Sequence, residues 1–282
     1  MKNGIFLLLG SSSVSHAFAV ALLSLTIGAA AADAASINFA GSGTGANGEA
    51  LSATAHFTLT GNTLTLTLKN TYSGLTNNRP DVLTAFFFDT NQSIINSLTS
   101  VVIPEAQKLF RCTSASACSS TTVGAGGQNI TGVAGSWQYV TNTGTVGTDV
   151  GLGTVGLDIF GDFVTQGSNG PNYGLIGSGA LQPNGSLRSS SPNDANANLV
   201  QSSLVFTFNV ANNFSLFDIS NVRFQYGTNL AEPNFSGTCI PAPANICTPP
   251  NPDPVVPEPS PLFPALAMGL CLGGAVLFRR TL

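Results

Sequence analysis

The sequence predicts an all-β fold, an antiparallel jelly-roll-like sandwich that forms one domain between an N-terminal signal peptide and a C-terminal transmembrane helix. Apolar residues alternate in twos through much of 37–235, which is the period of a strand with one buried face. Gly, Asn and Ser separate these runs, as turns do in sandwiches and barrels. Only 8% of the 282 residues are charged, against about 25% in an average soluble domain.

The first 34 residues predict a secretory signal peptide. Lys2 supplies a positive charge, apolar runs follow it, and Ala32-Asp33-Ala34 has the small-residue pattern of a cleavage site. We expect cleavage after Ala34 first and after Ala32 second, with a retained N-terminal anchor as the alternative. The mature β-rich extracytoplasmic domain then spans 35–238.

The clearest local pattern predicts a hairpin closed by Gly61-Asn62. A two-residue loop with glycine first favours a type II′ turn. Closing the chain there places Thr60 opposite Thr63. The apolar side chains then share one face, and a slip of one residue would expose one strand's set. Those side chains are Phe57, Leu59, Leu64, Leu66 and Leu68.

Further strands are predicted along the chain. The stretch 82–89 is almost continuously apolar, as in a strand buried on both faces. Shorter or alternating runs occur at 136–140, 204–210 and 222–226. The stretch 104–110 predicts one or two helical turns, and 141–200 predicts loops with short strands.

Four cysteines of the exported part predict two disulfides: Cys112, Cys118, Cys239 and Cys247. Three pairings are open, and we favour the local ones, Cys112 with Cys118 and Cys239 with Cys247. Zinc is the alternative, but the gaps are wider than usual zinc-ligand spacings. His56 is the only histidine of the mature region, so we expect no metal and no cofactor.

The composition changes after Cys239. Nine of the sixteen prolines lie between 241 and 261, so 239–261 predicts a semi-rigid stalk. Leu262–Phe278 contains seventeen uncharged residues, near the lower limit for a transmembrane helix. Arg279 and Arg280 begin a basic tail, 279–282, which we expect on the cytoplasmic side.

This tail resembles a known sorting signal. Val256-Pro257-Glu258-Pro259-Ser260, followed by a short apolar helix and an arginine cluster, is similar to the PEP-CTERM signal of Gram-negative bacteria. The resemblance implies export, membrane anchoring of the precursor, and cutting near Pro-Glu-Pro by the membrane-embedded enzyme exosortase. Similar tails occur on some ice-binding proteins. An ordinary C-terminal anchor is the alternative.

The body resembles a family of exosortase-dependent surface proteins of roughly this length. The stretches that carry this resemblance are DVLTAFFFD (81–89), GSWQY (135–139), NYGLIGSG (172–179) and ISNVRFQYGT (219–228). The resemblance implies an exported surface protein without implying an activity.

Charge and motifs narrow the function classes. Residues 35–258 carry twelve acidic and six basic side chains, a net charge of −6 that argues against nucleic acid and anionic lipid as partners. The G-x-G-x-x-G at 43–48 lacks the strand and helix of a dinucleotide site, and we interpret it as a flexible mature N-terminus. Asp158 and Asp162, with Asp149 nearby, are weak candidates for calcium binding.

The remaining candidates concern sugars and catalysis. Trp137 and Tyr139 share one strand face and could stack a sugar ring, but the core is the more common place for such residues. No nucleophile elbow or His-Glu-x-x-His motif occurs. The sequence therefore favours a non-enzymatic surface or matrix protein, in contact with exopolysaccharide. The alternatives are a polysaccharide- or ice-binding module using Thr63, Thr65 and Thr67, and, third, an exported hydrolase.

Overall fold

The computed structural model describes residues 35–76, 79–90, 94–114, 117–133, 135–143, 147–154, 172–179, 198–240 and 247. These residues belong to one compact unit. They form strands, turns and short 3-10 segments at Arg79–Asp81 and Leu216–Asp218, with no α-helix among them. The prediction of an all-β fold is confirmed, whereas the jelly-roll-like connectivity stays a prediction.

Within the described residues, seven strands form the first sheet, in the order β16, β1, β2, β3, β13, β5, β8. Their bounds are β1 Ala35–Thr44, β2 Ala50–Thr60, β3 Thr63–Asn70, β5 Ile95–Ile103, β8 Gln128–Asn129, β13 Ser203–Val210 and β16 Thr238–Ile240.

The second sheet contains nine strands of the described part, with the main order β15, β14, β4, β11, β12, β6, β7. Their bounds are β4 Leu83–Asp89, β6 Lys108–Ser114, β7 Ala117–Thr122, β9 Gln138–Thr143, β10 Thr148–Gly153, β11 Gly174–Ile176, β12 Asn198–Gln201, β14 Ser220–Tyr226 and β15 Asn234–Ser236. Strand β10 also pairs with β4, and β9 pairs with β10.

The hairpin between β2 and β3 has the predicted register. Thr60 lies opposite Thr63, and Phe57 lies opposite Leu66. Gly61 has φ +54°, and Asn62 is not among the residues with positive φ, as a type II′ turn requires. Because side chains alternate between faces, the apolar set of both strands faces the interior.

Strand β4 is buried on both faces, as predicted. Its residues from Leu83 to Phe88 are all buried. It pairs with β14 along one edge, and its other edge is divided between two partners. Strand β10 lies beside Ala85 to Phe88, and β11 lies beside Leu83. Strand β4 is therefore the branch point of the second sheet.

Aromatic rings from both sheets meet in one core. Phe57 of the first sheet lies 5.3 Å from Phe88 of the second, measured between ring centroids. Trp137, which precedes β9, lies 5.3 Å from Phe206 of β13. Since these contacts join the inner faces, the two sheets pack as a sandwich.

Three sequence interpretations need correction. Residues 104–107 form a turn, with φ +63° at Ala106, and β6 follows where helix was expected, because its backbone pairs with β7 and β12. The 43–48 motif is ordered rather than flexible: it ends β1 and forms a turn in which the Gly45 amide donates to Glu49 O at 2.7 Å. Strands β11 and β12 pair in parallel, whereas the other strand pairs of the described residues are antiparallel.

Candidate functional site

The outer surface of the first sheet is the most regular polar surface of the described residues. We call the outward side chains of β1, β2, β3, β13 and β5 the hydroxyl face. One row across it consists of Cα partners that all carry hydroxyls: Ser36, Thr58, Thr65, Thr207 and Ser100. Adjacent strands are about 4.8 Å apart, and successive outward residues on one strand about 6.5 Å apart.

Two neighbouring rows extend this surface toward the β1–β2 turn. They consist of Asn38, His56, Thr67, Val205 and Val102, and of Ala40, Thr54, Lys69 and Ser203. Ser203 is buried. The row on the other side contains Thr60, Thr63, Asn209 and Ser97. His56 and Lys69 are the two basic residues in these rows, and the rows contain no acidic residue.

The hydroxyl face is suited to non-covalent contact rather than covalent chemistry. His56 Nδ1 pairs with Asn38 Oδ1 at 2.5 Å, and no hydrogen bond joins this ring to a hydroxyl group of the described residues. A nucleophilic serine or threonine needs a base within hydrogen-bond reach. The face instead offers hydroxyl donors and acceptors beside threonine methyl groups.

The structure extends the threonine prediction. Thr63, Thr65 and Thr67 all point outward from β3, as expected. Sequence could place them on one face of one strand, but it could not identify their neighbours on β13 and β5. Strand β13 lies more than a hundred residues after β3 in the sequence. Strand β5 is nearer in the sequence, but β4 lies between it and β3 along the chain.

Trp137 and Tyr139 belong to the core. Trp137 is 2% exposed, and its Nε1 donates to Tyr173 O at 2.7 Å. Tyr139 packs against Phe208, with the hydroxyl donating to Ile95 O at 3.2 Å. Burial raises the pKa of Tyr139 to about 12. Neither ring is displayed for stacking on a sugar.

Asp149 lies beside Asp89 rather than alone. The Asp149 amide donates to Asp89 Oδ1 at 3.0 Å, and the Thr90 amide donates to Asp149 Oδ2 at 3.1 Å. Asp158 and Asp162 lie outside the described residues. Within the described part, no three His, Cys, Asp or Glu side chains group as metal ligands would.

The glutamates accept hydrogen bonds from turn amides. Glu49 accepts from Asn47 at 3.0 Å and Glu105 from Gly126 at 3.3 Å, while Glu232 accepts from Thr228. Carboxylates bonded to backbone amides in this way stabilise turns. None of these bonds brings two glutamates together.

A buried polar cluster, which sequence reasoning missed, lies at the end of the sandwich near Asn70. The Asn70 amide group donates to Leu175 O at 2.9 Å, and its Oδ1 accepts from the Tyr226 hydroxyl at 3.2 Å. The single Tyr226 hydroxyl proton is shared between Asn70 Oδ1 and Ser52 O, and Ser52 O lies closer, at 2.9 Å. Burial, and then the nearby Asp81, raise the pKa of Tyr226. The sequence pattern could have predicted that Asn70 is buried, because Asn70 continues the inward-facing series of Leu64, Leu66 and Leu68.

Gln225 is a second missed residue. The alternating run at 222–226 would place Gln225 on the outward side of its strand, opposite Phe224 and Tyr226, yet it is 2% exposed. Its Nε2 donates to Tyr226 O at 2.7 Å and to Asn229 O at 3.1 Å, with Glu232 O and Pro233 O slightly farther away. The side chain therefore orders the loop between β14 and β15.

The remaining predicted site residues are the cysteines and the residues of the two terminal signals. Cys239 is bonded to Cys247, with Cα atoms 5.9 Å apart. Cys118 is disulfide-bonded and lies opposite Cys112 in the ladder; the Cys112 side chain is outside the described set. Also outside it are Ala32, Ala34, Val256–Ser260, Arg279 and Arg280. No described helix could cross a membrane, and Leu262–Phe278 is not among the described residues.

No family model, curated protein or solved structure matches the chain.

Proposed function

We propose that this chain is an exported, non-enzymatic protein of the cell surface or extracellular matrix, anchored first by its C-terminal helix and then processed by exosortase. The observation that carries this proposal is the order of features after the sandwich: the proline-rich stalk, Val256–Ser260, seventeen uncharged residues, and Arg279-Arg280.

The proposed processing has two physical steps: the membrane retains the precursor, and cleavage of the tail then releases the domain. An apolar helix holds a protein in a bilayer far more firmly than a lipid chain does, so release requires cleavage of the backbone. Prolines favour an extended backbone, so the sequence around Glu258 suits binding in an enzyme cleft. The domain would then remain in the envelope or matrix with part of the stalk attached.

Intact-mass analysis of the protein from envelope and medium tests this proposal. We expect a mature form that begins at Ala35 and lacks Leu262–Leu282. Replacing Pro257 and Pro259 by alanine should block the cut, whereas the matched control, Pro250 and Pro252 to alanine in the same stalk, should not. A mature form that still ends at Leu282, in a host with exosortase, would reduce the tail to a plain anchor.

A second candidate function is binding of a neutral polysaccharide or of ice by the hydroxyl face. The support is the row from Ser36 to Ser100, which carries a hydroxyl on each of five neighbouring strands. A sheet side with little charge avoids the desolvation penalty that charged groups incur. Threonine is also common on ordinary solvent faces of strands, so the candidate depends on a binding measurement.

Introducing charge on the hydroxyl face distinguishes a binding surface from an ordinary solvent-exposed face of the sheet. We expect Thr65→Lys with Thr207→Lys to weaken binding of the isolated 35–247 domain, which keeps the Cys239–Cys247 bond, to neutral glycans, or its thermal hysteresis, by about tenfold or more. The matched control is Thr121→Lys on exposed β7 of the other sheet. Comparing Thr→Val with Thr→Ser at positions 65 and 207 shows whether hydroxyls or methyls are needed. If the wild-type domain shows neither glycan binding nor thermal hysteresis, this candidate function is wrong.

A further inference from the structure

Both chain ends leave the described domain from one edge of the first sheet. Strand β16 is antiparallel to β1, and Ile240 lies opposite Asn38. Strand β16 therefore runs toward the start of β1, and the Cys239–Cys247 bond holds Cys247 beside β16, with the two Cα atoms 5.9 Å apart. Ala35 is only three residues from Asn38, a distance of about 10 Å along a strand. The two predicted membrane segments, 1–34 and 262–278, thus connect to neighbouring strands.

The same end of the sandwich, which we call the tether end, carries exposed apolar side chains. Asn62 O accepts from the Val210 amide, and Ile94 O from the Ala211 amide, which places the β2–β3 turn, Ile94 and the segment after β13 together. Ile94 is 59% exposed, Phe217 37% and Ile240 45%. The other large apolar side chain exposed in the described part, Val133, follows β8, which pairs with the opposite half of β5.

We propose that the tether end rests on the headgroup region of the bilayer while the protein is a membrane-anchored precursor. This inference rests on the proposed function, because the C-terminal helix supplies the tether. A linker of 248–261, which follows the Cys239–Cys247 bond, holds the end near the bilayer at an effective concentration on the order of millimolar. Weak apolar contacts by Ile94, Phe217 and Ile240 then suffice to orient the domain.

The charged side chains at the tether end determine which lipid headgroups it can contact. Asp89, Asp149 and Asp218 lie at the tether end, since Asp89 ends β4 opposite Ser220 and Asp218 precedes β14. Lys69 lies near the opposite end of β3. Arg223, which lies opposite Phe87, donates to Asn234 Oδ1 at 3.2 Å. Carboxylates are repelled by anionic headgroups. The contact is therefore with zwitterionic lipid and weakens as the anionic fraction rises.

The test uses the chain from Ala35 to Leu282 with Cys271→Ser, reconstituted in phosphatidylcholine vesicles. A fluorophore is attached to Asn62→Cys in the tether-end turn or to Asn47→Cys in the exposed turn between β1 and β2, and lipid-bound quencher is added. We expect quenching at position 62 to exceed quenching at position 47 by about threefold or more. The difference should shrink as phosphatidylglycerol replaces phosphatidylcholine.

Controls separate this inference from the proposed function. Ile94→Ser with Phe217→Ser should abolish the difference, whereas Val133→Ser should preserve it. Flotation of the vesicles reports anchoring independently of orientation. Failure to float would contradict the tail's proposed role. Flotation with equal quenching at positions 47 and 62 would overturn only the orientation proposed for the tether end.

Discussion

The Tyr226 hydroxyl joins the two sheets at the end opposite the tether. It donates to Ser52 O of β2 and approaches Asn70 Oδ1 of β3. We expect Tyr226→Phe to lower the free energy of unfolding by about 1–3 kcal/mol, because buried acceptors lose their donor. Chemical denaturation measures this. Tyr139→Phe is the control and should cost less, because its hydroxyl makes one 3.2 Å bond at a partly buried site; equal losses would contradict the assignment.

Alkaline pH tests the same tyrosines. An unfolded tyrosine has a pKa of about 10, whereas burial raises the pKa of Tyr139 to about 12 in the fold and raises the pKa of Tyr226 as well. The folded chain then retains protons that the unfolded chain releases, so this contribution is full below about pH 10 and is lost as pH rises through about 12. Denaturation midpoints should fall over that range, and Tyr139→Phe should flatten the decline. A midpoint that rises would contradict the pKa direction.

At the scale of an element, the β2–β3 hairpin depends on its turn. Gly61 has φ +54° with nothing near its would-be side chain, so Gly61→Ala tests backbone conformation alone. We expect a loss of about 1–2 kcal/mol in unfolding free energy. Gly124→Ala is the matched control, since Gly124 is equally open and lacks a positive φ; its effect should stay within about 0.5 kcal/mol. Equal effects would mean that the turn tolerates alanine.

Elements also differ in how much of them could be predicted. The β2–β3 register follows from residues adjacent in sequence, and it was predicted correctly. The 104–110 stretch was predicted helical because local pattern ignored its pairing with β12, about ninety residues away. Gly41 shows the same limit: a side chain there would lie 2.8 Å from Phe224 Cδ2 and from Ser236 O, a close approach that no local pattern reveals.

At the scale of the whole molecule, the main core, to which both sheets contribute, should give one unfolding transition. Trp137 is the only tryptophan, it is 2% exposed, and it touches Phe206 of the other sheet. We expect its fluorescence and the far-ultraviolet circular dichroism of the 35–247 domain to change at the same denaturant concentration, because both sheets share these contacts. Separate midpoints would indicate that the sheets unfold independently.

The sequence by itself determined the strand period, the hairpin at Gly61-Asn62, the doubly buried run at 82–89 and the inner positions of Trp137 and Tyr139. Each depends on neighbours in the chain or on the usual burial of a residue type. Only the tertiary structure decided that Thr65 lies beside Thr207, that Gln225 is buried, and that Ala35 and Ile240 share one sheet edge. Those pairings join residues distant in sequence, and their stability comes from many packing contacts acting together.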